Sequence, residues 1–148
     1  MEFMAQALTE AERAMAAGEV PVGAIVVAED TVLGRGRNRT IELRDPTAHA
    51  EVLAIREAAG AGDGYRLEGA SLYVTLEPCV MCMGAIVNAR LAALKFGAWD
   101  EKAGAAGSVY DVGRDGRLNH RIEIYPRIMA EACADILRRF FRAKRNAG

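Results

Sequence analysis

Two short stretches of the sequence contain side chains that could bind one metal ion together. The first, DPTAHAEVLAI, has His49 and Glu51 two positions apart, and the second, LEPCVMC, has Cys79 and Cys82 three positions apart. Residues three apart lie on the same face of a helix, so both sulfurs can reach one ion. The CxxC spacing alone is typical of either a zinc site or a redox-active pair. A redox pair needs neither a histidine nor an acid, so His49 as a third ligand favours zinc.

Glu51 is the candidate acid–base group of this site. Two thiolates and a neutral imidazole balance the charge of Zn²⁺, and three protein ligands leave the fourth position to water, as in catalytic zinc sites. Zinc can lower the pKa of its water from about 15.7 to about 7. Glu51 would take the proton from that water as general base and deliver it to the substrate as general acid. His49 and Glu51 can both face the metal if they lie on the first turn of a helix whose end points at it.

Strands and helices alternate along the chain. The predicted helices cover residues 3–17, 46–59, 78–90 and 126–144. The predicted strands cover residues 20–27, 31–38, 71–76, 92–98 and 121–126. Asp45 is a suitable N-cap and Pro46 suits a first helical position, so the second helix is predicted to begin at Pro46, and Pro78 is predicted to open the third. This alternation predicts an α/β fold, a three-layer α/β/α sandwich with a central sheet.

The composition predicts one globular domain over residues 1–148. Hydrophobic residues make up 51% and charged residues 26% of the chain, which argues against disorder. The net charge of −1 argues against a chain that is basic throughout, so nucleic-acid binding would need a local patch. The N-terminus carries acids rather than a signal peptide, and no apolar run is long enough to span a bilayer. We therefore expect a cytoplasmic protein without membrane association.

The motifs also resemble those of a known family. H-A-E followed by P-C-x-x-C is the signature of zinc nucleobase deaminases. With DPTAHAEV, LYVTLEPCVMCMGAI, KFGAWDEKAGAAGS and NHR, nearly the whole chain resembles the bacterial tRNA-specific adenosine deaminases of the cytidine/deoxycytidylate deaminase superfamily. The resemblance implies a cytidine-deaminase-like fold with a five-stranded mixed sheet, and a homodimer with one Zn²⁺ per subunit. The implied site residues are the metal ligands His49, Cys79 and Cys82, the proton shuttle Glu51, and Asn38, which would hydrogen-bond the flipped nucleoside.

By the same resemblance, the protein is a hydrolase of tRNA processing. It would convert the wobble adenosine of an arginine tRNA to inosine, and its partner would be the anticodon stem-loop. The target base must leave its stack to reach the metal, which suits a loop in which unstacking is easy.

Two further segments could contact RNA. Asp100 and Lys102 follow a predicted strand, in a loop expected near the mouth of the site, although a turn with a solvated ion pair explains them equally well. The tail LRRFFRAKR is basic, and its Phe141, Arg142 and Lys144 are candidate contacts for bases and phosphates. The alternative for the tail is a solvated helix end that complements the helix dipole, with its phenylalanines in the core.

Three other features are predicted to be structural. Cys133 fits the core, and His120 fits a local role because the three metal ligands are complete without it. The helix after Cys79 is apolar on nearly all sides, so it is buried either within the domain or at a subunit contact.

Two other functions are compatible with the metal motif. A deaminase of free guanine, cytosine or cytidine would use the same zinc site, because each reaction needs an activated water beside an amidine carbon. The residues around the motif favour the tRNA enzyme. A non-catalytic subunit or RNA-binding module with a structural zinc would have no use for an unpaired acid such as Glu51 beside the metal.

Overall fold

The computed structural model describes residues 1–147, and Gly148, the last residue of the predicted domain, lies outside the described part. Five strands form one sheet in the order β2-β1-β3-β4-β5. The strands are β1 (Gly23–Ala28), β2 (Thr31–Arg37), β3 (Ser71–Leu76), β4 (Ala93–Ala98) and β5 (Glu123–Tyr125). The α-helices of the described residues are α1 (Glu2–Ala16), α2 (Ala50–Gly60), α3 (Val80–Asn88) and α4 (Ala130–Ala147).

The sheet is mixed, as predicted. Strand β1 pairs antiparallel with β2 and β3, whereas β3, β4 and β5 run parallel to one another. Helices α2 and α3 pack on one face of the sheet, where Ala54 and Ile86 join Phe96 in one hydrophobic cluster. Helices α1 and α4 pack on the other face, where Met4 and Cys133 join a second cluster. The three-layer α/β/α architecture and the core position of Cys133 are thereby confirmed.

Two glycines of β2 bring α2 unusually close to the sheet. A Cβ atom at Gly34 would collide with the backbone of Ala54, and a Cβ atom at Gly36 would collide with the backbone of Ala50. Only a residue without a side chain permits this approach. The contact sets the start of α2 beside the end of β2, where Asn38 follows.

Two helices begin later than predicted. Helix α2 begins at Ala50 rather than Pro46, because the carboxylate of Asp45 accepts hydrogen bonds from the backbone N–H and hydroxyl of Thr47, at 2.8 and 2.7 Å, and so closes a turn instead of capping a helix. Helix α3 begins at Val80, two residues after Pro78. In both cases the helix end lies at the predicted metal ligands.

The last helix was also predicted to begin too early, at Pro126 instead of Ala130. Arg127 and Met129 adopt positive φ angles of 68° and 54°, which an α-helix excludes. Between them, the backbone N–H of Ile128 donates to the carbonyl oxygen of Phe96 at 3.0 Å, which holds this segment along the sheet.

Across residues 1–147, no helix combines the length and the apolar character needed to cross a bilayer.

Candidate active site

The site lies where α2 and α3 begin. His49 is the N-cap residue of α2 and Cys79 is the N-cap residue of α3, each with extended backbone angles and with no side-chain hydrogen bond to its own helix. An N-cap side chain normally accepts a hydrogen bond from the first helical turn. Here both side chains point instead toward a shared position, and Cys82 reaches it from the first turn of α3. The prediction that two helix ends face one site is confirmed.

The three donor atoms are close enough to share an ion. The Nδ1 atom of His49 lies 3.7 Å from the Sγ of Cys79 and 3.5 Å from the Sγ of Cys82, and one donor atom from each residue lies within 4.8 Å of the others. Tetrahedral zinc at its usual bond lengths would hold a nitrogen and a sulfur ligand about 3.6 Å apart. The donor set and its spacing therefore fit a metal ion held by three protein ligands.

The two thiols stabilise a negative charge at this position. The Cys82 thiol donates to the sulfur of Cys79, and this bond, together with one from His49, lowers the pKa of Cys79 to about 4. Because Cys82 donates its thiol proton to this hydrogen bond, the pKa of Cys82 is raised, and burial raises it further. The hydrogen bond to Cys79 raises the pKa of His49. A metal ion bound here would replace these hydrogen bonds, because Cys82 and the Nδ1 atom of His49 must lose their protons to become ligands.

Glu51 lies beside this group, in the first turn of α2. Its side chain is nearly fully buried, with 4% of the residue exposed. Burial is the main reason that its pKa is raised to about 7, and the neighbouring His49 opposes part of that rise. A buried carboxyl group with a pKa near neutrality can both accept and release a proton under physiological conditions.

Asn38 completes the start of α2. Its Oδ1 accepts a hydrogen bond from the backbone N–H of Ala50 at 2.8 Å, and so supplies the cap that the His49 side chain does not. Because this bond uses the carbonyl oxygen, the NH₂ group is the part of the side chain that can bind a substrate. The structure therefore brings Asn38 to the site, as predicted, and also gives it a structural role that was not predicted.

A cavity of about 280 Å³ opens above these residues. Its walls include Asn38, His49, Glu51, Cys79 and Asp100. The volume is close to the lower end of the range of small-molecule sites, about 300 Å³.

A second cavity of about 470 Å³ adjoins the first and shares Asp100 in its wall. It is also lined by Lys102, Trp99 and Phe141, and both aromatic side chains are partly exposed, at 40% and 45%. The structure thus brings Asp100, Lys102 and Phe141 to the mouth of the site. The Asp100 carboxylate accepts hydrogen bonds from the backbone N–H groups of Lys102 and Ala103, at 3.1 and 3.2 Å, so the turn is formed by backbone capping.

The other tail residues lie elsewhere on α4. Arg142 and Lys144 are exposed and line neither cavity, and the Lys144 ammonium lies over the ring of Phe140, 5.4 Å from its centroid. Phe140 is in the core, whereas Phe141 is not, so the alternative that placed both rings in the core is half right. His120 has the local role expected, because its Nε2 lies 2.6 Å from the carbonyl oxygen of Leu91.

Sequence reasoning assigned no role to Glu77, which organises one wall of the site. Its carboxylate is buried and accepts hydrogen bonds from the N–H groups of Asp100, Ala106 and Ser108 and from the hydroxyl of Ser108, at 2.6 to 3.1 Å. These bonds fix the loop over residues 100–108 above the metal ligands. The available signal was an acid directly after the buried strand β3, within the motif LEPC.

Glu19 has the same role for a second loop, which reaches the cavity at Thr40. It is 1% exposed, and its carboxylate accepts hydrogen bonds from the Thr40 hydroxyl and from the N–H groups of Ile41 and Glu42, at 2.9 to 3.3 Å. Two buried glutamates therefore hold the two loops that border the cavity.

The fold and the site together define a metal-dependent deaminase of the kind that acts on nucleobases. Sequence comparison agrees: the profile of the MafB19-like deaminases matches residues 1–145, and the chain belongs to this family. It is 47% identical over 146 residues to the tRNA-specific adenosine deaminase of Aquifex aeolicus, covering 97% of this chain and 95% of that protein. It is 45% identical over 145 residues to the Haemophilus influenzae protein of the same name, covering 97% and 84% of the two chains.

Solved structures show the same relationship. A structure from a study of A-to-I editing by tRNA:A34 deaminases at the wobble position superposes with a TM-score of 0.89 and 45% identity, covering 92% of this chain and 99% of that one. The guanine deaminase of Nitrosomonas europaea is more distant, with a TM-score of 0.78 and 26% identity over 93% of this chain and 82% of that one. The cytidine-deaminase-like fold predicted from the motifs is confirmed.

Proposed function

We propose that this protein deaminates the wobble adenosine of tRNA to inosine, with arginine tRNA as its substrate. The observation that carries the proposal is the grouping of His49, Cys79 and Cys82 beside the buried Glu51, at the base of a cavity, in a chain 45–47% identical to proteins named tRNA-specific adenosine deaminase. Residues 1–148 act as one deaminase domain. The reaction consumes water and adenosine and releases ammonia and inosine.

The metal is zinc, one ion per subunit, held by His49, Cys79 and Cys82. Two sulfurs and one imidazole are the donor set that zinc favours, and two thiolates balance its charge. When bound there, zinc supplies a water acidic enough to act as a nucleophile near neutral pH.

Glu51 moves the protons of the reaction. Its carboxylate lies next to the ligands, and its pKa of about 7 lets it accept a proton from the attacking water. It delivers this proton to the ring nitrogen N1 as the water oxygen bonds to C6. It then takes the second proton of the former water and delivers it to the amine, so the C6–N bond breaks, ammonia leaves and the C6 carbonyl group of inosine forms. Burial excludes bulk water from this carboxyl group, which keeps the proton within the site.

The substrate is oriented by groups around the metal. The NH₂ group of Asn38 hydrogen-bonds the nucleoside, while its oxygen stays on the α2 helix. Asp100, Lys102 and Phe141 contact nucleotides that flank the target, because they line the adjoining cavity. Arg142 and Lys144, exposed on α4, contact phosphates of the anticodon stem-loop.

The active form is a homodimer. Helix α3 buries Met83 and Ile86 in the core, yet it exposes Val80 and Met81, at 49% and 37%, directly beside the metal ligands. Val80 and Met81 are neighbours, and exposed apolar side chains that adjoin one another are a feature of protein interfaces. Sedimentation equilibrium of the wild type and of a Val80→Lys variant tests this proposal. We expect a dimer for the wild type and a weakened dimer for the variant. A monomeric wild type would contradict it.

The compartment is the cytoplasm, where tRNA is the available substrate. Cell fractionation with an antibody to the protein tests this, and recovery in the membrane fraction would contradict it.

A direct assay separates this function from its closest alternative. Free guanine deamination is the second candidate, because the fold and 26% of residues are shared with a guanine deaminase. The zinc-loaded protein is incubated with arginine tRNA, with free guanine and with cytidine, and the products are digested and identified by mass spectrometry. We expect inosine at the wobble position of the tRNA alone. Turnover of guanine or cytidine without turnover of tRNA would reverse the assignment.

A further inference from the structure

A cavity with an excess of positive charge lies at the free edge of β2, outside the active-site cavity. It has a volume of about 310 Å³, and four arginines line it. We call it the arginine cavity, and its arginines are Arg13, Arg35, Arg37 and Arg39. The acids in its wall are Glu10 and Glu57, so arginines outnumber acids two to one in a chain whose net charge is −1.

The alternation of β2 explains why two of these arginines converge. Gly34 and Gly36 face α2, so Arg35 and Arg37 project from the other face of the strand. In the pairing with β1, Arg37 lies opposite Gly23, against which α1 packs so closely that a Cβ atom would collide with the backbone of Ala7. Strand β2 is the last strand of the sheet on this side, so the guanidinium groups lie at an open edge.

Existing ion pairs do not neutralise the cluster. Arg13 pairs with Glu10 at 2.9 Å, whereas Arg37 and Arg39 share one acid, Glu42. The Arg37–Glu42 contact is long, at 3.7 Å, and the buried Nε of Arg37 has no hydrogen-bond partner within residues 1–147. In the same part of the chain, the exposed Arg35 takes part in no salt bridge. Like charges that line one cavity repel one another unless an anion lies between them.

The arginine cavity lies alongside the active site. Asn38, between Arg37 and Arg39, lines the active-site cavity. Leu53 and Glu57 in its wall follow His49 by four and eight residues along α2, or about 6 and 12 Å along the helix axis. An RNA strand with one base in the active-site cavity would therefore have neighbouring backbone within reach of these guanidinium groups.

We propose that the arginine cavity binds phosphodiester groups of the RNA substrate, next to the nucleotide whose base enters the active site. This inference rests on the proposed function. Guanidinium groups bind phosphate oxygens through pairs of parallel hydrogen bonds, and each phosphate neutralised makes binding more dependent on salt. Arg35 and Arg37 are the principal contacts, because their charges are the least compensated.

The test is tRNA binding by the full-length, zinc-loaded protein over a range of salt concentrations. In the Arg35→Gln/Arg37→Gln variant, we expect the Kd for tRNA to rise at least about tenfold at roughly 0.1 M salt, and the slope of log Kd against log salt to fall by about one per lost contact. An Arg35→Lys/Arg37→Lys variant keeps both charges and should retain most of the slope. The matched control is Arg66→Gln/Arg117→Gln, which removes two ion-paired guanidinium groups from exposed loops.

The competing explanation is that charges on an edge strand only prevent pairing with other chains. Under that explanation, the Kd and the slope of the double glutamine variant would equal those of the control, and the inference would be overturned. The single Arg35→Gln variant should fold normally because the Arg35 side chain is exposed, so it separates a loss of RNA contacts from a loss of folding. An unchanged slope of log Kd against log salt in that variant overturns the inference as well. A wild type that binds tRNA but forms no inosine contradicts the proposed function instead, and the comparison of slopes still decides the role of the cavity.

Discussion

Glu51 and Glu77 occupy two regions that look alike in the sequence and differ in the structure. Each lies two residues from a metal-binding position, Glu51 after His49 and Glu77 before Cys79, and each is nearly fully buried, at 4% and 2% exposed. The carboxylate of Glu77 accepts four hydrogen bonds from the loop over residues 100–108, whereas Glu51 lies against the metal ligands and its burial raises its pKa to about 7.

The difference shows how the same type of side chain, a buried glutamate, can serve either structure or proton transfer. Donors from a loop fix a buried carboxylate as an acceptor and make it a structural element. A buried carboxylate that lacks such a set of backbone donors remains available for proton transfer. The two residues should therefore respond in opposite ways to replacement by glutamine.

The largest effect is expected for Glu51→Gln. The amide cannot accept and deliver protons, so inosine formation should fall by a factor of about 10²–10⁴. Zinc content should not change, and the free energy of unfolding should equal or exceed that of the wild type, because no charge is buried. Single-turnover assays, elemental analysis and urea unfolding measure the three quantities. Glu68→Gln, at an exposed position, is the control. Full activity of the Glu51→Gln variant would show that Glu51 does not transfer protons in the reaction.

Glu77→Gln should affect stability first. An NH₂ group in place of either oxygen would face a backbone N–H that now donates to the carboxylate. The free energy of unfolding should fall by about 2–3 kcal/mol, because buried donors lose a charged acceptor. Amide hydrogen exchange should also accelerate at Ala106 and Ser108. If this variant lost turnover while exchange and stability stayed at wild-type values, Glu77 would belong to the chemistry and the contrast with Glu51 would be wrong.

Ser108→Ala should give the smallest effect. The Ser108 hydroxyl lies 2.6 Å from Glu77 and 2.7 Å from the carbonyl oxygen of Asp100, and its removal leaves three backbone donors on Glu77. A loss of about 1 kcal/mol in the free energy of unfolding is expected, with turnover close to wild type. A loss as large as that of Glu77→Gln would mean that the hydroxyl, not the backbone, holds the loop.

The metal-binding group could be predicted from the sequence because its information is local. Residue types and spacings within two short segments name the donors, and the need for both His49 and Glu51 to face one ion predicts that a helix end lies there. The alternation of strands and helices predicts the three-layer fold for the same reason: each element buries a pattern that is visible in its own residues.

What could not be predicted depends on contacts between distant segments. Asp45 and Pro46 have the local signature of a helix start, yet the helix begins at Ala50, where the cap comes from Asn38 on another element. Glu77 resembles a surface acid at a strand end until the loop over residues 100–108, far along the chain, supplies its donors. Phe140 and Phe141 are adjacent in the sequence, and only the packing of α4 decides that the first is buried and the second exposed.

The most direct test of the account is X-ray absorption spectroscopy at the zinc edge on the zinc-loaded protein. We expect one zinc per chain with two sulfur ligands at about 2.3 Å and two nitrogen or oxygen ligands at about 2.0 Å, one from His49 and one from water. A first shell without sulfur, or a protein in which Cys79 and Cys82 form a disulfide and bind no zinc, would contradict it.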